Sequence, residues 1–139
     1  MAGQTDRQMY LCLAYEEEAR LDALTPDEWE SLRSATLTYV DELDRKGHLI
    51  RTHPLQSART AVTVRVRQGR LSTTDGPFAE TKEQLGGFFL IEAADLNEAI
   101  QLAANWPSAR IGSIEVRPIE TALKVSGRYA PVGPRLDDE

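Results

Sequence analysis

The stretch TDGPFAETKEQLGGF, residues 74–88, decides how this chain is organised. It joins a turn signal, a dense patch of charged residues and a glycine pair, and it lies between two segments with strand character. Loops of this kind usually carry function, because a rigid scaffold presents their polar groups to solvent or ligand. The stretch therefore predicts a functional loop, although it names no reaction by itself.

The residues before this loop predict a β-hairpin. Thr60–Arg67 alternates apolar and polar side chains, which is the period of a strand. Gln68-Gly69 supplies a two-residue turn, and Arg70–Thr74 forms the returning arm. The alternation predicts that three valines of the first arm face the core: Val62, Val64 and Val66.

Four further segments have the composition of strands. Met9–Tyr15 is a short apolar run, and Gly87–Glu92 is a continuous apolar strand expected to be covered on both faces. His48–Leu55 is extended, and its Pro54 predicts a strand end or a sheet edge, since proline donates no ladder hydrogen bond. Gly112–Pro118 alternates again and forms the final strand.

Two helices carry clear start and stop signals. Thr25 is the predicted N-cap of the first, followed by proline and by Glu28 at the capping-box spacing, and Gly47 ends it. Asp95 and Glu98 repeat the capping pattern for the second helix, which Pro107 ends. Apolar residues recur every three or four positions in both segments, so each helix presents one apolar stripe.

The resulting order is strand, helix, strand, hairpin, strand, helix, strand. Two strand-helix-strand units on one antiparallel sheet predict an α+β, ferredoxin-like sandwich with an inserted β-hairpin. Helices on one side leave the other face open, with Phe88 or Phe89 exposed beside Tyr10 or Leu11. An apolar face of that size indicates an interaction surface, so we expect a homodimer packed sheet to sheet.

Composition sets the remaining bounds. A chain of 139 residues suits one domain, and we expect a flexible segment at 1–8, the domain at 9–119 and an arm or disordered tail at 120–139. The formal net charge of −6 disfavours nucleic-acid binding. The single cysteine, Cys12, and the lack of an apolar run of membrane length predict a cytoplasmic protein without a membrane partner.

The central motif resembles the DGPF branch of the YCII-related family. The resemblance rests on residues 74–91, with Thr63–Arg67 before them and Ser113–Pro118 after them, and it extends over about Met9 to Ile119. It implies a dimeric α/β-barrel built from ferredoxin-like subunits. Some relatives resemble lyases of aromatic degradation that use a histidine and an aspartate, and members often accompany extracytoplasmic-function sigma factors. The resemblance thus implies either an enzyme or a regulatory role.

Asp75 and His53 are the candidate acid–base pair. Histidine transfers protons near neutral pH, and His53 stands at the end of the second strand, just before Pro54-Leu55. The wider family often has a Gly-Pro-Leu turn at this place, so His53 departs from the family pattern and inherits no role from the resemblance. Asp75 either acts as a base or orients that imidazole; alternatively, it only shapes the loop through an Asx turn. His48, directly after Gly47, is better explained by the negative end of the helix dipole.

A second group of residues is a candidate for ligand binding. Thr81 and Lys82, with Glu80 beside them, can anchor a small anionic or aromatic ligand, although ordinary surface ion pairs also explain these charges. Arg65 and Arg67 can clamp a carboxylate, or they can simply be a solvated sheet edge. We interpret Glu16 to Glu18 as a solvated acidic turn, and no motif indicates a metal or a nucleotide cofactor.

Two hypotheses from different classes follow. The first is a small-molecule-binding or regulatory dimer linked to a sigma factor, and it predicts an open polar loop whose side chains do not converge. The alternative is a cofactor-independent lyase or isomerase using Asp75 and His53. That alternative predicts a closed, partly apolar pocket holding a carboxylate of raised pKa.

Overall fold

A computed structural model describes residues 7–121. The strands are β1 (Gln8–Glu16), β2 (Leu49–Pro54), β3 (Val62–Arg67), β4 (Arg70–Asp75), β5 (Gln84–Ala93) and β6 (Gly112–Pro118). The α-helices are α1 (Glu18–Asp22), α2 (Pro26–Arg45) and α3 (Leu96–Ala104), and two 3₁₀ turns cover Ala58–Thr60 and Pro107–Arg110. Most of the flexible segment and of the tail that the sequence predicts lies outside the described residues.

Four strands form one antiparallel sheet in the order β2-β5-β1-β6. The two central strands, β5 and β1, are thus the third and first of these four in sequence, an order that agrees with a ferredoxin-like sandwich. The α+β prediction is confirmed. β2 lies at an edge, as Pro54 at its last position predicts, because no further strand needs the missing N–H group.

Both predicted helix starts are confirmed. The Thr25 hydroxyl accepts from the Glu28 N–H, and the Glu28 carboxylate accepts from the Thr25 N–H, which is a complete capping box. Asp95 caps α3 in the same way by accepting from the Glu98 N–H at 2.8 Å. Gly47 follows α2 with φ +79°, a conformation that suits glycine and ends the helix.

The core lies between the helices and one face of the sheet. Cys12, Phe89 and Ile91 are completely buried on that face. The Phe89 ring stacks on Trp106, with ring centroids 4.0 Å apart and planes 11° apart. The Tyr39 hydroxyl of α2 donates a hydrogen bond to the Leu102 carbonyl of α3 at 2.7 Å. This packing fixes both helices over β1 and β5.

The opposite face of the sheet is only partly covered. Leu11 pairs with Leu90, Leu13 pairs with Phe88, and all four side chains are half-buried within the chain. β5 is therefore covered fully on one face only, in contrast to the expectation for a strand buried on both. We call these four residues the open face.

The prediction that Val62, Val64 and Val66 face the core is wrong. Their side chains are 56%, 61% and 58% exposed, because β3 and β4 form a separate two-stranded sheet that does not join the main one. Alternation showed that one face of β3 differs from the other, but it did not show what that face packs against. We call this hairpin, residues 62–75, the arm.

Candidate functional site

Charged and small residues meet at one end of the main sheet. β1 ends there at Glu16, which pairs with Gln84 at the start of β5 and with Gly112 at the start of β6. The loop 76–83 leads directly into β5 at this end. We name Glu16, Glu18 and Glu83 the acidic corner.

Glu16 lies in a notch made by two glycines. A Cβ atom on Gly86 would lie 2.2 Å from Glu16 Oε1, and one on Gly112 would lie 3.2 Å from Glu16 Cγ. Either atom would crowd the Glu16 side chain, since normal packing leaves no such overlap. Glycines near the starts of β5 and β6, which lie on either side of β1, therefore create the space that the Glu16 side chain occupies.

Burial raises the pKa of the Glu16 carboxyl above its ordinary value, and the charges of Glu18 and Glu83 add to this rise. The buried Ser108 hydroxyl opposes the rise, although its geometry falls short of a hydrogen bond and it has no other partner among the described residues. The notch thus holds a carboxyl group that takes up a proton more readily than a solvated glutamate does. A group of that kind can donate as well as accept hydrogen bonds.

Glu18 connects the corner to the root of the arm. Its carboxylate accepts from the Ser57 hydroxyl and from the Ala58 N–H, both at 2.7 Å. These hydrogen bonds, the Ala58 N–H first, hold the pKa of Glu18 below its ordinary value. The interpretation of Glu16 to Glu18 as a solvated acidic turn is therefore wrong, because Glu16 is half-buried and Glu18 is tied to a neighbouring segment.

The third carboxylate of the corner is held by the last strand. The Ser113 hydroxyl of β6 donates to Glu83 Oε1 at 2.8 Å, which fastens the end of the loop to the sheet. Inside the loop, the Thr81 hydroxyl donates to the Glu83 carbonyl, and Gln84 Nε2 donates to the Thr81 carbonyl at 3.0 Å. Local hydrogen bonds therefore shape residues 81–84.

Asp75 is exposed at the end of β4. Within residues 7–121 its carboxylate accepts no hydrogen bond, so the Asx-turn alternative is not formed. The turn is held instead by Gly76, with φ +106°, whose N–H donates to the Ala61 carbonyl at 2.7 Å and whose carbonyl accepts from Thr63 at 2.9 Å. The Asp75 side chain is thus exposed and has no hydrogen-bond partner within residues 7–121.

His53 lies on the other sheet from Asp75. It is exposed in β2, and its ring centroid lies 5.8 Å from that of Phe88 on the open face. His53 and Asp75 form no hydrogen bond or ion pair with each other in the described chain. The acid–base pairing of these two residues stays a prediction. His48, by contrast, is buried and its Nδ1 lies 2.8 Å from the Glu92 carbonyl oxygen, which indicates a structural role.

The predicted ligand-binding residues all lie on or near the loop and the arm. Glu80, Thr81 and Lys82 are exposed, and the described residues include no ion pair that involves Glu80 or Lys82. The Arg65 guanidinium lies 5.7 Å from the centre of the Phe78 ring, and Arg67 donates to the adjacent Val66 carbonyl. Arg65 thus lies near Phe78 of the loop, and within residues 7–121 no hydrogen bond or ion pair joins Arg65 or Arg67 to Glu80, Thr81 or Lys82.

Two open grooves lie elsewhere on the described surface. One, of about 550 Å³, runs between α2 and the second 3₁₀ turn and has mainly polar residues along its wall. The other, of about 440 Å³, is apolar and runs between α3 and β6 past Ile100 and Val116. Neither groove includes Asp75, His53 or Glu16.

Glu16 is the residue that sequence reasoning missed. Gly86 and Gly112 are the feature of the sequence that could have indicated this site, because a glycine near the start of a strand often marks a place where another group approaches closely. Only the register identifies that group, since it places both glycines beside the same position of β1.

Comparison with known proteins supports the YCII-related family that the central motif resembles. The YCII-related domain matches residues 9–123. An uncharacterized protein of Rhizobium meliloti (strain 1021) is 38% identical over 117 residues, which cover 80% of this chain and 91% of that protein. No helix within residues 7–121 is both long and apolar enough to cross a membrane. From the domain match and the relative, the chain belongs to the YCII-related family.

Proposed function

We propose that this protein is a small-molecule-binding or regulatory homodimer whose ligand site is the acidic corner with the adjoining loop. One observation carries the proposal: within residues 7–121, Glu80 and Lys82 of the loop and Asp75 just before it are exposed and form no ion pair, and the same loop ends at Glu83, whose charge acts on the half-buried carboxyl group of Glu16. Exposed charges next to a carboxyl group of raised pKa are typical of a site that waits for a ligand. An open polar loop is also what the binding hypothesis predicts.

The charges of this region narrow the ligand class. Glu16, Glu18 and Glu83 repel an anion, so the corner itself favours a hydrogen-bond donor such as a hydroxyl or amino group. Lys82 on the loop and Arg65 on the arm carry positive charges, which can bind an anionic or aromatic group of the same ligand. We therefore infer a ligand that carries both a donor group and an acidic or aromatic group.

A thermal-shift screen tests this site. The panel contains small carboxylates and phenols with and without an amino group, applied to wild type, Asp75→Asn, Glu16→Gln and Lys82→Met. Glu30→Gln is the control, since Glu30 is exposed on α2 and its one ion pair within the described part of the chain is a surface pair with Arg33 at 3.8 Å. We expect a ligand that stabilises wild type and the control but not the three site variants. A ligand shift of equal size in all five proteins would show that it binds elsewhere.

In the proposed dimer, the sheet of each subunit covers the open face of the other. Half-buried leucine and phenylalanine side chains on a sheet are what a second sheet packs against, and a twin of this chain offers the same surface. Pairing of this kind gives the dimeric α/β-barrel that the family resemblance implies. The free thiol of Cys12 is buried, which suits the reducing cytoplasm that the proposal includes. The functional link to an extracytoplasmic-function sigma factor is a further part of the proposal.

A cofactor-independent lyase or isomerase is the second candidate. The raised pKa of Glu16 favours it, because a carboxyl group that exchanges protons closer to neutral pH is a better acid–base catalyst. In this version Glu16 acts together with Asp75 and His53. The test is deuterium uptake at carbon in a ligand found by the screen, with wild type, Glu16→Gln and His53→Ala compared in D₂O. Uptake that wild type catalyses and Glu16→Gln does not would support the enzyme, whereas no uptake above the uncatalysed rate would support binding alone.

A further inference from the structure

The arm stands away from the rest of the molecule. β3 and β4 pair over six positions, from Val62 opposite Asp75 to Arg67 opposite Arg70. Their extensive packing is with each other, and the helices and strands of the main body leave them almost uncovered. An isolated two-stranded hairpin is only marginally stable in water, so this arm lacks the support that hairpins usually need.

The two faces of the arm differ sharply. Val62, Val64, Val66 and Leu71 lie on one face and are 56% to 69% exposed. On this face Val66 stands opposite Leu71, and Val62, at the root of the arm, stands opposite Asp75. The other face carries Arg65, Arg67 and Arg70. A row of exposed apolar side chains on a strand pair tends to associate with other molecules unless a partner covers it.

Charge indicates which molecule covers it. The arm, residues 62–75, contains three arginines and one aspartate, a formal charge of +2, whereas the whole chain carries −6. The remainder of the chain therefore carries −8. A second copy of this protein attracts a basic arm, while nucleic acid would be repelled by most of the surface behind it.

We propose that the valine face of the arm packs against a second copy of this chain. The arm then acts as a clasp across the subunit boundary, and its six-residue strands give it a reach of about 20 Å. This interface is separate from the open face, because two sheets can pair without any contribution from a hairpin that projects from the corner. It also explains why apolar residues occupy the side of β3 that the chain itself leaves in water.

Sedimentation equilibrium of the full chain tests the clasp. Val64→Asp places a charge in the middle of the valine face, and Val64→Thr keeps the β-branched shape while replacing a methyl group by a hydroxyl. Ser72→Asp is the matched control, because Ser72 is opposite Arg65 on the other face of the same hairpin. We expect the dimer dissociation constant to rise at least about tenfold for Val64→Asp, less for Val64→Thr, and by no more than about twofold for Ser72→Asp. An unchanged dissociation constant for Val64→Asp would overturn the proposal.

A second measurement separates the clasp from the sheet interface. Hydrogen exchange of the β3 and β4 amides is expected to be slow in the wild-type dimer and fast in Val64→Asp, while the amides of β1 and β5 stay protected in both. Leu11→Asp, on the open face, provides the comparison variant. If Leu11→Asp dissociates the dimer and Val64→Asp leaves it intact, sheet pairing stands and the clasp is refuted. A wild-type dimer whose arm exchanges rapidly, or a monomeric wild type, refutes it as well.

Discussion

Gly86→Ala tests the notch around Glu16. Gly86 has no positive φ angle, so alanine can adopt its backbone conformation without strain. The new Cβ would nevertheless lie 2.2 Å from Glu16 Oε1, while the next obstacle, the Ala14 carbonyl oxygen, is at an ordinary contact distance of 3.8 Å. The carboxylate of Glu16 is therefore the only group that must give way by about 1 Å.

The magnitude follows from two opposing effects. Because Glu16 Oε1 is the far end of a flexible side chain, overpacking costs only about 1 kcal/mol, the low end of the usual range, and the smaller freedom of alanine in the unfolded chain returns about 0.4–1 kcal/mol. We expect Gly86→Ala to change the free energy of unfolding of wild type by less than about 0.6 kcal/mol. In a Glu16→Ala background the obstacle is absent, so the same change should be neutral or stabilising by up to about 1 kcal/mol.

Urea unfolding of the four proteins, followed by circular dichroism at one fixed protein concentration, gives the coupling free energy. We expect a coupling of about 0.5–1 kcal/mol between Gly86 and Glu16, at the low end for residues in direct contact. An equal effect of Gly86→Ala in both backgrounds would refute the notch, because it would mean that the effect of the substitution is unrelated to Glu16.

Three further predictions concern the same end of the sheet and the core. Gly112→Ala should cost about 3 kcal/mol in urea unfolding, because its Cβ would lie 2.1 Å from the Tyr15 carbonyl oxygen, a backbone atom that cannot swing aside; a loss below about 1 kcal/mol would contradict this. The pKa of Glu16 in the folded protein is raised above 4.5, so the stability that its bound proton contributes is lost as the pH rises through this raised pKa. The pKa of Glu18 in the folded protein is lowered, so the stability that its carboxylate contributes is lost as the pH falls below 4.5. As the pH rises from about 3 to about 7, the stability of Glu16→Gln should therefore increase relative to that of wild type, and the stability of Glu18→Gln should decrease. If both variants followed trends of the same sign, the opposite pKa shifts of Glu16 and Glu18 would be refuted. Burial raises the pKa of Cys12 to about 12, so a thiol reagent should react only as fast as the protein opens, and rapid reaction of the folded protein would show the thiol to be accessible.

Sequence reasoning predicted the main sheet and its helices because their signals are local. Thr25 with Glu28, and Asp95 with Glu98, determine where α2 and α3 begin through hydrogen bonds within one turn. Pro54 placed β2 at an edge for an equally local reason, the missing N–H group. Such features need no knowledge of distant residues.

The errors concern contacts between distant segments. The alternation of Val62 and Val64 was detected correctly, but an apolar face reveals nothing about its partner, and here none exists within the described chain. Glu16 was assigned to a solvated turn because its two glycine neighbours lie 70 and 96 positions further along the chain. The pairing of Asp75 with His53 is not among these errors: it rests on chemistry alone and stays a prediction, with the two residues on different sheets.

The stacking of Phe89 on Trp106 has a practical consequence for spectroscopy. The protein has two tryptophans, and their surroundings differ: Trp106 is 8% exposed, whereas Trp29, on the outer side of α2, is 49% exposed. A water-soluble collisional quencher reaches the outer indole and spares the inner one. The fluorescence that survives quenching therefore comes from the centre of the fold, and it reports on that centre without any label.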